Sequence, residues 1–219
     1  MHLHICEIMI RVLITDDHPI VRQGIRQILE DDKDLRFGLI EEACNGKELL
    51  EKIGEKDFDV VLLDISLPGR SGLELISDVK KLKPATSILI LSIYPEEQYA
   101  LRALKLGAMG YLTKASAPEE LIEAVVKTAG GTRYITASLA DRITLDFITD
   151  KDKPLYAELS ARELEVLVLL SSGKTITSIG KELSLSPKTI STYRERILAK
   201  LNLKTTSDII VYAIKEGLV

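Results

Sequence analysis

The chain is expected to form an α/β doubly wound, five-stranded parallel sheet followed by a small all-α four-helix module, on three observations. Five times between residues 10 and 130, an apolar strand-like segment is followed across a short connection by an amphipathic helix-like one, the alternation that builds parallel βαβ units. Two of the strand-like segments, Val60-Val61-Leu62-Leu63 and Ile88-Leu89-Ile90-Leu91, are apolar without a break, as strands buried on both faces are. From residue 160 onward, helical periodicity and capping signals replace the alternation, and no strand pattern interrupts them.

In chain order, the apolar segment Ile10–Thr15 precedes a helix with Ile20, Val21, Ile25, Ile28 and Leu29 on one face. Residues 39–43 precede a helix carrying Leu49, Leu50 and Ile53, and residues 60–63 one carrying Leu73, Leu75, Ile76 and Val79. Residues 88–91 lead to a helix with Tyr99, Ala103 and Leu104, and residues 110–113 to one with Leu121, Ile122, Val125 and Val126. Gly130-Gly131 ends that helix. Residues 131–154 read as a linker with room for a short helix over 137–148; its polar end, 149–154, is closed by Pro154. Residues 1–8 form an extension, 9–130 the first domain and 155–219 the second.

The second domain opens with Ser160-Ala161-Arg162-Glu163, a capping box in which the serine bonds an early helix N–H and the glutamate reaches back. Leu164, Val166, Leu167 and Leu170 follow as its apolar face, and Gly173 stops the helix. A second helix spans roughly residues 176–183. Ser186-Pro187 opens a third, because proline at the first helical position lacks only an N–H that would be orphaned anyway. A fourth runs from about Thr206 to Glu216.

The 219 residues, 46% of them apolar, suffice for two packed cores. No apolar run approaches the ~18–20 residues that span a bilayer, and the first eight residues lack a secretory pattern. A cytoplasmic protein without a membrane partner is expected. Cys6 and Cys44 form no C-x-x-C pair and read as free thiols. Charge divides the chain: residues 155–219 carry a net of +2 and residues 1–154 a net of −6. Within residues 186–204, Lys188, Arg194, Arg196, Lys200 and Lys204 face Glu195 alone, a net of +4. An acidic first module and a locally basic second one point to a metal or phosphate site in front and a polyanion partner behind. On charge alone, a solvated helix face is the alternative.

Four strand-like segments end in residues that phosphoryl chemistry uses. Ile10–Thr15 runs into Asp16 and Asp17, residues 59–63 into Asp64, 87–91 into Ser92 and 109–113 into Lys114. Ligands of open α/β sheets bind at the carboxyl ends of the strands, so these ends can converge. Paired carboxylates with a third suit Mg²⁺, a hard ion that takes carboxylate oxygens and keeps water and phosphate in its remaining positions. Asp64 is then a candidate nucleophile, with Lys114 on the phosphoryl oxygens and Ser92 as a donor to them.

The motifs Leu13-Ile14-Thr15-Asp16-Asp17-His18-Pro19, Leu63-Asp64-Ile65-Ser66-Leu67-Pro68-Gly69 with Gly72, Ser92, and Gly110-Tyr111-Leu112-Thr113-Lys114 resemble the signature of a two-component receiver domain, a flavodoxin-like fold. Leu159-Ser160-Ala161-Arg162-Glu163-Leu164-Glu165-Val166-Leu167, Ser186-Pro187-Lys188-Thr189-Ile190 and Lys200-Leu201-Asn202-Leu203-Lys204 resemble the LuxR-type helix-turn-helix. Together they resemble a response regulator of the NarL/FixJ class. The resemblance implies Asp64 as phosphoacceptor, Asp17 as a direct Mg²⁺ ligand, Asp16 as a ligand through water, and the Ser66 backbone carbonyl as a third protein contact. It further implies Lys114 on the phosphoryl group and Ser92 with Tyr111 as a switch pair: phosphorylation draws Ser92 and Lys114 inward and Tyr111 repacks behind them.

The implied partners are a sensor histidine kinase, double-stranded promoter DNA read as paired half-sites, and a second copy of the chain on phosphorylation. Lys188, Ser191, Thr192 and Glu195 share the expected base-facing side of the recognition helix by i, i+3 and i+4 spacing, Arg194 and Arg196 flank it toward the phosphates, and Thr189 and Lys200 are further expected DNA contacts. Four positions depart from the family pattern: Leu67 stands where methionine is frequent, and Ile190, Ser191 and Tyr193 replace a valine-lysine pair followed two residues on by histidine.

Two other function classes are weighed. A regulator controlled without phosphotransfer is disfavoured by the full acidic set. A Mg²⁺-dependent phosphatase with an aspartyl nucleophile needs an acid two residues after it, where Ser66 stands; only slow self-phosphorylation from acyl phosphates and self-dephosphorylation are expected. His2, His4 and Cys6 alternate as strand-face metal ligands would, or belong to a tail before Met9. His18 is either a pH sensor or a plain loop residue before Pro19. Ile209, Ile210, Ala213 and Ile214 form an apolar stripe divided between core and dimer surface.

Overall fold

The computed structural model describes residues 9–32, 37–148 and 155–219. The readings of His2, His4 and Cys6, and of residues 149–154, lie outside the described residues. Cys44 is a free thiol. Five parallel strands, β1 (Ile10–Thr15), β2 (Phe37–Ala43), β3 (Val60–Leu63), β4 (Ser87–Ser92) and β5 (Gly110–Thr113), lie in the order β2-β1-β3-β4-β5. The expected five-stranded doubly wound sheet is present.

Strand alternation divides the core. Val12, Ile14, Val60, Leu62, Leu89 and Leu91 project to one face, against α1 (Pro19–Asp31) and α5 (Pro118–Ala129). Leu13, Val61, Leu63, Ile88 and Ile90 project to the other, against α2 (Gly46–Glu55), α3 (Gly72–Leu82) and α4 (Glu96–Leu106). Burial on both faces is the physical origin of the unbroken apolar runs.

Chain order reverses across β1, which has β2 on one side and β3 on the other. The carboxyl end of β1 is therefore the switch point where a ligand site is expected. Register brings the right residues there: Thr15 pairs with Leu63, Leu63 with Ile90 and Ser92 with Thr113. One step beyond those pairs lie Asp16, Asp64 and Lys114. Gly72, at the start of α3, allows a close approach, since a Cβ there would fall 1.9 Å from the carbonyl oxygen of Asp64.

The expected linker helix is a full element. α6 (Ala137–Ile148) packs on α4, with Leu139 buried in the core and Thr136 donating to the Glu96 carboxylate at 2.8 Å. Tyr134 adds a parallel bridge to Gly110 at the sheet edge.

The second domain begins with a 3-10 turn (Leu155–Glu158) and continues with α7 (Ala161–Ser171), α8 (Ile176–Glu182), α9 (Pro187–Lys200) and α10 (Thr206–Lys215). The capping box of Ser160 and Glu163 forms as read from the sequence, and a second one forms at Thr205 and Asp208. Ser186 caps α9 by accepting from the Thr189 N–H. Ile179, Leu183, Ile190, Ile197, Ile209 and Ala213 close this module around α7.

The two domains touch. Their apolar residues form one continuous cluster through Leu67, Tyr94 and Tyr99 on one side and Leu159, Ala161 and Leu164 on the other. Gln98 donates to the Leu218 carbonyl at 2.6 Å and Arg102 to the Leu159 carbonyl at 2.5 Å.

Gly72→Ala is expected to destabilise the first domain by about 1–3 kcal/mol, the usual cost of forcing atoms into a filled site. The denaturant midpoint of the first unfolding transition checks this; an unchanged midpoint would show that α3 can move away from Asp64 freely.

Candidate functional site

The predicted strand ends converge. Asp16 and Asp64 are buried, 1% and 2% exposed, and the Lys114 ammonium lies 2.6 Å from Asp16 Oδ2 and 2.8 Å from Asp64 Oδ2. Backbone bonds fix the three loops relative to one another: the Asp64 N–H donates to the Thr15 carbonyl at 2.9 Å, and the Lys114 N–H to the Ser92 carbonyl at 2.7 Å. Asp17 is half-buried and its Oδ1 lies 2.7 Å from His18 Nδ1. Ligand atoms of Asp16, Asp17, His18 and Asp64 all fall within 4.8 Å of one another.

Electrostatics follow from burial. Removal from water, with the like charge of Asp16, pushes the Asp64 carboxyl up to about 6, although the Lys114 ammonium and the Ser66 N–H pull the other way. Burial disfavours the charged ammonium of Lys114, but two carboxylates outweigh it and hold its pKa above the ordinary lysine value. Asp64 Oδ1 is buried without a hydrogen-bond partner. An orphaned carboxylate oxygen among hard oxygen donors fits a divalent cation of the Mg²⁺ type.

The two residues expected to form a switch pair are both buried. Ser92 is fully buried, and its Oγ accepts from the Tyr94 N–H at 3.2 Å. Tyr111 is 1% exposed and donates to the Tyr94 carbonyl at 2.8 Å. The resemblance implies that phosphorylation draws Ser92 and Lys114 inward and that Tyr111 repacks behind them. In this structure Lys114 already holds Asp64 and Tyr111 is already buried, because burial in the apolar cluster and the Tyr94 carbonyl suffice to hold the phenol without a phosphoryl group.

His18 is the N-cap residue of α1, and its ring is mostly exposed beside Asp16 and Asp17. Its N–H donates to Asp16 Oδ1 at 2.8 Å. The side chain thus borders the acidic cluster rather than standing apart from it as a plain loop residue would.

On α9, Ile190 and Ile197 point into the core, and the opposite face presents Lys188, Thr192, Glu195 and Arg196 to solvent, with Ser191 and Thr189 half-buried beside them. Two expected DNA contacts are engaged within the protein. Arg194 donates to Thr206 Oγ1 at 2.7 Å, and Lys200 pairs with Glu163 at 2.6 Å. The stripe on α10 divides as anticipated between core and surface: Ile209 and Ala213 are buried, whereas Ile214 and its neighbour Val211 are 61% and 67% exposed.

Sequence reasoning missed Glu165 and Tyr94, whose side chains meet the Ser66 hydroxyl, and Arg162, which holds the neighbouring Leu67 carbonyl. Arg162 and Glu165 read as the solvated side of an amphipathic helix, and only the position of Tyr94, two residues after Ser92, offered a signal.

Comparison with known proteins agrees with this geometry. Residues 12–126 match the response regulator receiver domain, and residues 157–213 match the bacterial regulatory proteins of the luxR family. The chain is a two-component response regulator of the NarL/FixJ class. It is 36% identical over 211 residues to the response regulator UvrY of Escherichia coli, covering 96% of both chains. It is 32% identical over 212 residues to the response regulator GacA of Pseudomonas aeruginosa, covering 96% of this chain and 98% of that protein. Among solved structures, RcsB of Salmonella enterica serovar Typhimurium, bound to the promoter rprA with the phosphomimetic BeF3-, superposes with a TM-score of 0.62 at 29% identity, over 93% of this chain and 98% of that one. Among the described residues of the regulator, no helix is long and apolar enough to cross a membrane.

Without divalent ions, Asp64→Asn is expected to stabilise the receiver by about 1–3 kcal/mol above pH 6. A carboxyl raised above its ordinary value binds more protons in the native state than in the unfolded one, so stability falls as pH rises from about 4 to 6. Asparagine lacks that loss, and its advantage should vanish below about pH 4. Denaturant midpoints across this range check it; a pH-independent difference would count against the electrostatic cause.

Proposed function

We infer that Asp64 is the phosphoacceptor of this regulator and that its phosphorylation by a sensor histidine kinase controls dimerisation and promoter binding. The observation that carries the reading is the Asp64 carboxylate itself: one oxygen is held by Lys114 and the other is buried without a partner. At pH 7.5 this carboxyl is ionised, being raised only to about 6. It attacks the phosphorus in line, forming the carboxylate O–P bond as the bond to the donor's imidazole or acyl oxygen breaks, and the electron pair leaves with the donor. The Lys114 ammonium stays on the phosphoryl oxygens, and the Ser92 hydroxyl is placed to donate to them. Asp16, Asp17, Asp64 and the Ser66 carbonyl would hold Mg²⁺, which neutralises charge on the transferring group. The same group explains slow self-phosphorylation from small acyl phosphates.

On the output side, the exposed face of α9 enters the major groove. Lys188, Ser191, Thr192 and Glu195 read base edges, and Arg196 reaches phosphate. A second copy of the chain, meeting the first through an apolar surface that includes Val211 and Ile214, occupies the paired half-site. Arg194 supports this face through Thr206, and Lys200 through Glu163, rather than contacting DNA. The relatives named as response regulators, and RcsB as a promoter-bound protein, support this reading. The regulator acts in the cytoplasm, where kinase domains and promoters meet.

Incubation with a small acyl phosphate should label the wild-type protein only when Mg²⁺ is present, and Asp64→Asn should take up no label. Stable labelling of the variant would refute the assignment.

For DNA, Arg196→Ala should weaken all sites similarly and reduce the salt slope by about one. Thr192→Ala should reorder sites, because a threonine methyl and hydroxyl read base edges. Selection from random DNA with each protein checks both. Enrichment of an unpaired half-site, or an Arg196→Ala protein with unchanged affinity and slope, would contradict the docking.

A further inference from the structure

Every residue of α7 from Ala161 to Leu170 is buried, the charged Arg162, Glu163 and Glu165 included. Arg162 and Glu165 are covered by the receiver. Arg162 and Glu165, one helical turn apart, are 1% and 0% exposed and pair at 2.5 Å. Arg162 also donates to the Leu67 carbonyl at 3.0 Å, and Glu165 Oε1 accepts from Ser66 Oγ at 2.8 Å. Ser66 stands two residues after Asp64 on the same loop. The loop that carries Asp64 is thus bonded directly to the DNA-binding module.

This contact is poised rather than strong. Burying an ion pair removes two charges from water, and mutual attraction repays that only when every donor is satisfied. Here Arg162 Nε is buried without a partner. Burial and the nearby charge of Asp64 hold the Glu165 carboxyl above its ordinary range, against the pull of Arg162 and Ser66. Replacing the Asp64 carboxylate, of charge −1, by its acyl phosphate, of charge about −1.5 to −2, adds up to about one unit of negative charge to the same pocket. Meanwhile Lys188, Thr192, Glu195 and Arg196 stay exposed on α9, so the contact does not cover the DNA-reading face. Its leverage is on the receiver.

We propose that Arg162 and Glu165 are positioning residues for the phosphorylation site, a charged latch from the DNA-binding module that holds Ser66 and Leu67 while Asp64 is unmodified and is expelled by the negative charge Asp64 acquires. The proposal rests on Asp64 being the phosphoacceptor. Linkage makes it reciprocal: if the charged pocket drives the module off, the docked module weakens binding of the charged group by the same factor, typically ~5–150-fold.

The experiment uses the full chain, Mg²⁺ and beryllofluoride as the phosphoryl mimic. Beryllofluoride affinity is read by fluorine NMR, and the state of the latch by hydrogen exchange over residues 161–170. In the wild type, beryllofluoride should speed exchange in this segment. Glu165→Gln keeps the size and the serine contact but loses the charge; it should bind beryllofluoride at least fivefold more tightly, with the segment remaining protected. Arg102→Ala, which loosens the domain contact away from the pocket, should also tighten binding, but with the segment already exchanging before the mimic is added. Equal affinities in all three proteins, or exchange unchanged by the mimic in the wild type, would overturn the latch while leaving the phosphoacceptor reading intact. Failure of the wild type to bind beryllofluoride at all would overturn both. Should Glu165→Gln fold poorly, the wild-type exchange and Arg102→Ala affinity still decide the matter.

Discussion

Two buried carboxylates share one ammonium at the ends of three parallel strands, and most of what this regulator does depends on that imbalance. Lys114 neutralises one unit of charge while Asp16 and Asp64 carry two in a place where water is largely excluded. Removal from water, with the like charge of Asp16, pushes the Asp64 carboxyl up, and one of its oxygens is buried without a partner. Such a pocket favours a cation and, with it, an anionic group that Lys114 and Ser92 can grip. The apo state therefore stores unfavourable electrostatics that ligand binding relieves.

The scaffold makes that cluster possible. Parallel strands with register pairs Thr15–Leu63 and Ser92–Thr113 bring side chains from residues about a hundred apart in sequence to one rim. Gly72 lets α3 start against the Asp64 backbone, so the loop carrying Ser66 and Leu67 turns tightly away from the acid. That turn puts Ser66 where it can face both Asp64 and the second domain. The proposed phosphoacceptor and the domain contact thus share one short loop, through which a local change in charge can act at a distance.

Ser92 and Tyr111 are both buried beside the acidic pocket. Tyr111 is held by the Tyr94 carbonyl, and Tyr94 stacks near Tyr99 with ring centroids 5.0 Å apart. Both Tyr94 and Tyr99 belong to the apolar cluster shared with Leu159, Ala161 and Leu164. Contact with the DNA-binding domain and the position of the switch tyrosine are therefore packed as one unit, and a rearrangement of either must be accommodated by the other.

The sequence by itself determined the elements, the sheet and the acidic site, because each rests on short-range rules. Alternating strand and helix periods dictate a doubly wound sheet, unbroken apolar runs dictate its central strands, and residues at strand ends must gather on one rim once the strands are parallel. Caps such as Ser160–Glu163 are local hydrogen bonds and were legible for the same reason. What only the tertiary structure decided was the fate of side chains whose partners lie far away in sequence. Arg162 and Glu165 have the spacing of a solvated helix face, yet they are buried because a loop about a hundred residues earlier supplies Leu67 and Ser66. Arg194 and Lys200 carry the charge of phosphate contacts, yet Thr206 and Glu163 engage them. Periodicity records which face of a helix is polar; whether that face meets water or another domain depends on the docking of two cores, which no local pattern encodes.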